Sequence, residues 1–280
     1  MNNLVQTHTY PPDFEELKKG VKSLLGFNTD QYKNTYLGRR FNARLRAHNL
    51  DSYHEYWKLL KNNTSEQERL LNDLTINVTE FFRDRSVYQF LQRDLIPNIS
   101  NQRNRIRVWS AGSSDGKEAY SVAMLFLELL GEEEATSKVS IIATDIDQAC
   151  LQRARTGAYF SRKGITQTDV SKQLSFLRKP DLFFDITEDN YQIKPVVKKM
   201  VSFQYHDLIS GPKKHNFDII FCRNVVIYFS RSLQEVLYMD FYNALNSGGF
   251  FVMGKTETLV GEARTKFQPY NSLERVFQKP

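Results

Sequence analysis

The sequence predicts an α/β protein with a doubly wound, largely parallel sheet, a small N-terminal all-helical domain and a small antiparallel β-hairpin subdomain inserted in the sheet domain. Three observations support this prediction. Residues 1–75 show helical periodicity and almost no strand signal. From residue 86 onward, short apolar segments alternate with helical ones, as is typical of parallel β-α-β units. Two strand-like segments around a turn interrupt this alternation at about residues 178–200.

The helical domain is predicted to contain four helices. Asp51-Ser52 and Thr64-Ser65 are helix-start signals, and acidic residues follow the second pair in the first helical turn. Residues 76–85 are expected to form a connector to the sheet domain, which spans residues 86–280. The expected helices are 14–25, 29–49, 52–61 and 65–74.

The sheet domain is predicted to contain five main strands, because five apolar segments have strand length and composition. The insertion at residues 183–193 is expected to form the hairpin, and residues 264–278 should supply the last strands. A helix is expected from Glu118 to Leu130. The main strands are expected at 106–110, 139–144, 201–205, 217–222 and 250–253.

Composition excludes several classes of protein. The 280 residues, 41% of them hydrophobic, suffice for one large core and a smaller module, at roughly 100–200 residues per domain. No apolar run reaches the ~18 residues of a membrane span, and Met1-Asn2-Asn3-Leu4 lacks the order of a secretion signal, so we expect a cytoplasmic protein without membrane insertion. Cys150 and Cys222 show neither disulfide-framework nor zinc-site spacing, so they are expected to be small core residues, and no metal is expected.

The positive charge is concentrated near the N-terminus. The net charge is +6, and residues 31–50 contain no acidic residue. A local field of this sign steers an acidic partner, either a nucleic acid or an acidic protein surface. The cations of this window are Lys33, Arg39, Arg40, Arg44 and Arg46.

A glycine-containing turn after the first strand predicts a nucleotide site. Gly112 and Gly116 allow a close approach to a ligand, and Asp145, at the tip of the second strand, is placed to accept hydrogen bonds from a ribose diol. The pattern is not G-x-G-x-x-G, and no G-K-[ST] follows, which disfavours dinucleotides and triphosphates. An adenosine-bearing ligand without phosphates fits better, and S-adenosylmethionine is the common one.

Two further stretches carry candidate site residues. Asn77, Thr79 and Arg83 lie beside a Phe-Phe pair, although a helix cap or a surface ion pair would also explain them. The strand at 217–222 ends abruptly in Arg223-Asn224, which places polar groups at the carboxyl edge of the sheet, where α/β proteins bind ligands. Tyr228 could face the same crevice or be a core tyrosine.

From about residue 29 to the C-terminus, the chain resembles the chemotaxis receptor methyltransferases of the CheR family, which have a Rossmann-like class I methyltransferase sheet. The resemblance rests on the motifs L-T-I-N-V-T-E-F-F-R-D, W-S-A-G-S-S-D-G-K-E-A-Y-S with A-T-D-I-D, and F-D-I-I-F-C-R-N-V-V-I-Y-F. It implies methylation of chemoreceptor glutamates with S-adenosylmethionine, releasing S-adenosylhomocysteine. It also places Arg83 and Tyr228 beside the transferred methyl group. With Gly112 of the turn, the expected cofactor-binding residues are Asn77, Thr79, Arg83, Gly112, Glu118, Asp145, Asp207, Leu208, Arg223 and Asn224.

The chain departs from the family pattern at four positions. Lys117 and Ala119 replace a glutamate and a proline, while Glu118, the acid that faces the cofactor in the family, is retained. Asp207 stands where asparagine is common; it can accept a hydrogen bond from an adenine amino group but cannot donate one. Lys255 stands where histidine is frequent.

The resemblance implies that the five cations named above dock on the acidic cytoplasmic helical bundle of chemoreceptors, and a monomer is expected. A helical wheel places Leu37, Phe41 and Leu45 on an inward stripe, but a solvated helix with buried arginine stems would explain the same pattern. Two other functions stay open. A nucleic-acid amino-methyltransferase should show an N-P-P-Y-like run after the fourth strand, where this chain has C-R-N-V-V-I-Y-F. A non-catalytic receptor-binding module is the other.

Overall fold

The computed structural model describes residues 10–75, 78–161 and 169–280, which form two compact units. The helical unit contains the described residues up to Thr75 together with Tyr228–Leu233, and the sheet unit contains the others. The prediction of an α/β sheet domain with an N-terminal helical domain and an inserted antiparallel hairpin is confirmed. The predicted domain boundaries were contiguous in the sequence. They therefore did not anticipate that residues 228–233 belong with the N-terminal helices.

The helical unit contains four α-helices, close to the predicted positions. Ser52 caps the third helix by accepting a hydrogen bond from the Glu55 N–H (3.2 Å), as expected for a serine before a first turn. Asn63 caps the fourth helix through the Glu66 N–H (3.0 Å), so this helix begins one residue earlier than predicted. The helices are α1 (Pro12–Leu25), α2 (Asn34–Ala47), α3 (Tyr53–Lys61) and α4 (Thr64–Leu74).

The prediction of one helix over residues 29–49 is wrong. A 3-10 turn, Thr29–Gln31, is followed by extended backbone at Tyr32 and Lys33 before α2 begins. Tyr32 forms a β-bridge with Phe229, and the Lys33 N–H donates to the Tyr228 carbonyl (3.0 Å). Periodicity could not reveal this interruption, because the pairing segment lies far along the chain.

The inward stripe predicted for α2 is confirmed, since Leu37, Phe41 and Leu45 are all buried. Beside this core lies a buried carboxylate, Glu66, whose side chain is 1% exposed. Arg44 holds it in a bidentate pair, with distances of 2.8 Å to Oε1 and 2.6 Å to Oε2. The His48 ring (2.8 Å) and the Tyr56 hydroxyl (2.7 Å) complete the cluster. Burial by itself would raise the pKa of Glu66, but these partners together lower it to about 2.

This cluster predicts acid sensitivity of the helical unit. The pKa of Glu66 is depressed from 4.5 to about 2 on folding, so its contribution to stability is complete above pH ~4.5 and is lost as the pH falls towards 2. At 1.36 kcal/mol per pKa unit, we expect a loss of roughly 3 kcal/mol over that range. Unfolding by urea between pH 7 and 2 measures it. Glu66→Gln should flatten this dependence, and an unchanged slope in the variant would contradict the assignment.

The sheet unit is built on a seven-stranded sheet with the order β6-β2-β1-β7-β8-β10-β9. The first five of these strands are parallel, and β10 pairs antiparallel with β8 and β9. Each predicted main strand is present, and only β8 begins clearly earlier than expected. The strands of this sheet are β1 (Ile106–Ala111), β2 (Val139–Asp145), β6 (Val201–Tyr205), β7 (Phe217–Cys222), β8 (Leu245–Met253), β9 (Gln268–Asn271) and β10 (Val276–Gln278).

The inserted hairpin belongs to a separate three-stranded antiparallel sheet. Its two predicted strands, β4 (Phe184–Thr187) and β5 (Asn190–Ile193), pair across residues 188–189. A third strand, β3 (Ala158–Phe160), joins the other edge of β5 and was not predicted, because three residues carry too little pattern to be recognised.

The helices of the sheet unit also contribute to its apolar packing. Among them, α7 (Lys117–Leu130) is the most buried. Its residues from Glu118 to Leu127 are all buried, which explains its continuous apolar composition. None of the helices in the described parts of the chain is both long and apolar enough to span a membrane. The described helices are α5 (Arg85–Phe90), α6 (Ile96–Gln102), α7 (Lys117–Leu130), α8 (Glu132–Lys138), α9 (Gln148–Thr156), α10 (Val170–Leu174), α11 (Pro195–Lys198), α12 (Arg231–Ala244) and α13 (Ala263–Lys266), with a π-helical segment at Leu91–Leu95.

Candidate functional site

The carboxyl ends of five parallel strands meet at one edge of the sheet. The chain passes from β1 to β2 on one side and later returns to β7 on the other, so a topological switch point lies between β1 and β7. Ligands of open α/β sheets bind at such a point, outside the carboxyl ends of the strands. The segments that leave β1, β2, β6, β7 and β8 at this edge contain most of the predicted cofactor-binding residues.

The glycine turn after β1 is tied to the end of β2. The N–H groups of Gly112 and Ser113 both donate to the Thr144 carbonyl, at 2.8 and 2.9 Å. The Ser114 N–H donates to Asp145 Oδ2 at 2.7 Å. The Gly112 N–H therefore already has a partner, so its predicted role in cofactor binding cannot rest on that group.

Both glycines of the turn are required by neighbouring protein atoms. Gly112 and Gly116 have φ of +77° and +88°, a region that favours glycine. A Cβ at Gly112 would lie 2.5 Å from a Val225 methyl carbon, and one at Gly116 would lie 2.8 Å from the Phe203 ring and 2.9 Å from Ala154. Packing within the protein therefore already accounts for both glycines, and a close ligand approach at the turn stays a prediction.

Asp145 ends β2 and is 9% exposed. Its Oδ1 accepts the Asp147 N–H (2.9 Å) while Oδ2 accepts the Ser114 N–H, and its own carbonyl accepts the His206 N–H (3.0 Å). Burial raises the pKa of Asp145, and the backbone N–H groups oppose that rise. Each oxygen retains a second lone pair, so this fixed carboxylate can still accept hydrogen bonds from a ribose diol.

Lys117 lies in the turn but forms contacts within the protein. Its Nζ pairs with the Asp115 carboxylate and lies 4.8 Å from the centre of the Tyr159 ring. The Tyr159 hydroxyl in turn donates to the Asp115 carbonyl at 2.6 Å. This departure from the family pattern therefore links the turn to β3 of the small sheet.

An ion-pair network, buried at Glu118 and Arg223 and exposed at Asp84, spans the switch point. Glu118, at the start of α7, accepts the Ser110 hydroxyl (2.7 Å) and has its Oε2 3.7 Å from Arg223 Nη1. Arg223 Nη2 also donates to Asp84 Oδ2 (2.7 Å) and to the Arg83 carbonyl (3.0 Å). Burial raises the pKa of Glu118, and the Arg223 charge opposes that rise. The sequence predicted Glu118 and Arg223 as site residues but did not predict that they face each other.

The loop that carries Arg83 is held in an uncommon conformation. Phe82 and Asp84, on either side of Arg83, have φ of +51° and +58°. A left-handed conformation costs roughly 1–3 kcal/mol for a non-glycine residue and persists only where the surroundings impose it. Here the Phe82 N–H donates to Ser121 Oγ (3.0 Å). Arg83 is half-buried, with Nη1 3.3 Å from the Val78 carbonyl.

Asp207 and Leu208 leave β6 at the same edge. The Asp207 carboxylate closes its own turn by accepting the Ile209 N–H (2.8 Å) and the Ser210 hydroxyl. Leu208 forms part of the wall of a small cavity beside Trp109. The predicted adenine contact by Asp207 would therefore use the remaining lone pairs of a carboxylate that is already fixed.

Asn77, another predicted site residue, lies outside the described residues. Thr79 is half-buried in the irregular segment before Phe81. Tyr228 belongs to the helical unit, where its ring lies 4.9 Å from that of Tyr36.

The predicted docking cations differ in exposure and in their partners. Lys33, Arg39 and Arg46 are exposed. Arg40 is half-buried, with its guanidinium carbon 5.6 Å from the centre of the Tyr36 ring. Arg44 does not fit the prediction, because its guanidinium is committed to Glu66 and is only 15% exposed. A charge so engaged cannot pair with a partner without breaking a buried ion pair.

The edge also contains buried polar atoms that have no hydrogen-bond partner in the described parts of the chain. They include Ser113 Oγ, Ser114 Oγ, Arg223 Nε and Asn224 Oδ1. Buried polar groups are normally satisfied, so donors and acceptors left open at a strand-end crevice fit a polar ligand. Within the described ranges, no group of three or more histidine, cysteine, aspartate or glutamate side chains is arranged to hold a metal ion.

Several of these residues were not predicted from the sequence. Glu257 follows β8 and is 3% exposed, yet a lone glutamate after a strand carries no distinguishing pattern. In the sequence, Asp84 is recognisable only as the last residue of the L-T-I-N-V-T-E-F-F-R-D motif. Ser113 and Ser114 lie between the two glycines, and a pair of small hydroxyl residues in such a turn is the one signal that could have identified them.

The parallel sheet, the acidic residue that ends β2 and the open polar groups at the switch point define an α/β domain of the nucleotide-cofactor-binding class. A family model described as "CheR methyltransferase, SAM binding domain" matches residues 77–276, and one described as "CheR methyltransferase, all-alpha domain" matches residues 12–75. The chain therefore belongs to the CheR methyltransferase family, which confirms the resemblance read from its motifs. Family membership assigns S-adenosylmethionine as the cofactor, and the residues at the strand ends fit it.

Similar proteins carry consistent names. A chemotaxis protein methyltransferase of Listeria innocua is 32% identical over 257 residues, covering 90% of this chain and 94% of that protein. One of Borreliella burgdorferi is 29% identical over 264 residues and covers 91% of each chain. One of Vibrio parahaemolyticus is 35% identical over 190 residues and covers 67% of each.

Proposed function

We propose that this protein methylates glutamate side chains of chemotaxis receptors with S-adenosylmethionine, giving glutamate methyl esters and S-adenosylhomocysteine in sensory adaptation. The proposal includes a monomeric enzyme in the cytoplasm. Family membership along nearly the whole chain carries it. The fixed Asp145 carboxylate and the Glu118–Arg223 pair at the switch point support it, because they suit the ribose and the charged end of the cofactor.

The chemistry requires positioning more than proton transfer. The bound cofactor supplies a methyl group on a positively charged sulfonium. A glutamate carboxylate, with an ordinary pKa of about 4.3, is already ionised at neutral pH and attacks the methyl carbon. The new O–C bond forms as the C–S bond breaks, and the electron pair of the C–S bond remains on sulfur. No general base is needed, and alignment can supply on the order of 7–11 kcal/mol in favourable systems.

Arg83 and Tyr228 are the proposed positioning residues beside the methyl group. Arg83 is supported by the strained, tied loop that carries it. Tyr228 is included in the proposal because it lies after β7 in the motif F-D-I-I-F-C-R-N-V-V-I-Y-F. Arg83→Ala and Tyr228→Phe are expected to slow methyl transfer by roughly 10–100-fold, because positioning groups are lost. Single-turnover rates with saturating cofactor measure this, and denaturant unfolding is the control. Wild-type rates in both variants would refute these roles.

Receptor docking is proposed for the exposed cations of α2. Arg39→Glu with Arg46→Glu should weaken receptor binding and reduce its dependence on salt, because fewer exposed charges then act across the interface. Cofactor affinity should not change. Lys19→Glu with Lys58→Glu, which also reverses two exposed cations, on α1 and α3, is the matched control. Titration of receptor fragments at two salt concentrations provides the measurement, and equal losses in the control and in the double variant would count against docking through α2.

One assay separates the proposed function from its alternatives. The protein is incubated with S-adenosylmethionine labelled in the methyl group and with either receptor cytoplasmic fragments or nucleic acid. We expect label on the receptor fragment that is released by mild base, as a carboxyl methyl ester is. Base-stable label on nucleic acid would indicate the competing methyltransferase. Absence of label from both, despite cofactor binding, would indicate a binding module.

A further inference from the structure

The strands β7 and β8 are joined at their carboxyl ends by one buried carboxylate. Glu257, which is 3% exposed, accepts the Gly254 N–H (2.6 Å) and the Asn224 N–H (3.1 Å) on a single oxygen, Oε2. Gly254 directly follows β8, and Asn224 lies two residues beyond the end of β7. The positions of both strand exits therefore depend on the same side chain.

Asn224 is held in a left-handed conformation, with φ of +60°. An asparagine in this region usually satisfies its backbone through its own side chain. Here the Glu257 carboxylate satisfies the Asn224 N–H instead. The Asn224 Oδ1 is consequently buried without a partner in the described part of the chain.

Gly254 permits this arrangement. A Cβ at this position would lie 2.7 Å from Glu257 Oε2 and 2.9 Å from the Asn224 nitrogen. Contacts below 3.0 Å to a backbone atom cannot be relieved by a rotamer change, so a larger residue would separate the carboxylate from Asn224. The turn therefore requires glycine because Glu257 closes over it.

We propose that Glu257 is a positioning residue of the cofactor site. It fixes the main chain of Asn224 so that the Asn224 side chain is left for the ligand. The inference rests on the proposed function and on the sequence-based expectation that Asn224 binds S-adenosylmethionine. Burial raises the pKa of Glu257, and the backbone N–H groups of Gly254, Asn224 and Ile227 oppose this rise ahead of the Arg223 charge.

Titration of the full chain with S-adenosylhomocysteine tests the proposal. Glu257→Ala should weaken binding by roughly tenfold or more, because losing one well-placed hydrogen bond to a ligand costs about 1.4 kcal/mol. Asn224→Gly keeps the left-handed backbone without the side chain and should lose a similar amount. The double variant should lose little more than either single variant, because both changes remove the same interaction. Glu257→Gln, which keeps one acceptor oxygen, should recover most of the affinity.

Glu274→Ala is the matched control for a purely structural effect. Glu274 is also buried (5% exposed) and is paired with Lys255 (2.7 Å). Its removal should lower stability and leave affinity unchanged. If Glu257→Ala does not fold, Gly254→Ala displaces the carboxylate instead and should show the same loss.

Unchanged affinity in a folded Glu257→Ala or Gly254→Ala protein would overturn the inference, as would additive losses in the double variant. Failure of the wild-type protein to bind either S-adenosylmethionine or its product would overturn the proposed function instead.

Discussion

Replacing Arg223 with methionine is expected to lower the free energy of unfolding by about 3–5 kcal/mol. The methionine fills similar apolar volume but leaves Glu118 buried without its opposing charge and Asp84 without its partner. Removing one member of a buried pair costs more than removing both, since an uncompensated charge remains. Urea unfolding monitored by circular dichroism measures the change.

Two further variants separate the charge effect from packing. Arg223→Lys keeps the charge without the planar fork and should lose less stability than the methionine variant. Glu118→Gln combined with Arg223→Met should recover part of the loss, because no buried charge is then left unpaired on α7. A loss below ~1 kcal/mol in Arg223→Met would show that the network does not stabilise the sheet edge.

Replacing Asp145 with alanine is expected to weaken S-adenosylmethionine binding by roughly 100-fold or more. Two hydrogen bonds from ribose hydroxyls to a carboxylate would be lost, at about 1.5–3 kcal/mol each. The variant also releases the Ser114 N–H that the carboxylate now fixes. Isothermal titration with S-adenosylhomocysteine provides the measurement.

The neighbouring acid gives the matched control for Asp145. Asp147 caps α9 by accepting the Cys150 N–H at 3.0 Å. Asp147→Ala should cost about 1 kcal/mol of stability through the lost cap while leaving cofactor affinity near that of wild type. Equal affinity losses in the two variants would show that disruption of the β2 end, and not a ribose contact, causes the effect.

Local sequence patterns predicted where most helices and strands lie. They did not predict the contacts that interrupt a helix or pair distant segments. The five parallel strands contain short apolar or alternating segments of strand length, so their positions followed from the sequence. The interruption at Tyr32 and Lys33 did not, because it depends on pairing with residues 228–229. Arg44 was misassigned for a similar reason, since its partner Glu66 lies on another helix.

Residues of the candidate site were predicted where the parallel strand arrangement alone brings them to one edge of the sheet. Asp145 and Arg223 were identified because parallel strands bring their carboxyl ends to one edge. The positive φ values of Phe82 and Asp84 could not be predicted, because tertiary contacts impose them on residues that ordinarily avoid this region. Glu257 was missed because its role depends on a backbone N–H from another strand exit.

The most direct test of the central claim is a structure of the protein with S-adenosylhomocysteine bound. The account predicts that the ribose hydroxyls lie within hydrogen-bonding distance of Asp145 and that the amino-acid end lies near Glu118 and Asn224. Ligand density elsewhere on the protein, with the carboxyl edge of β1, β2 and β7 filled only by water, would contradict it.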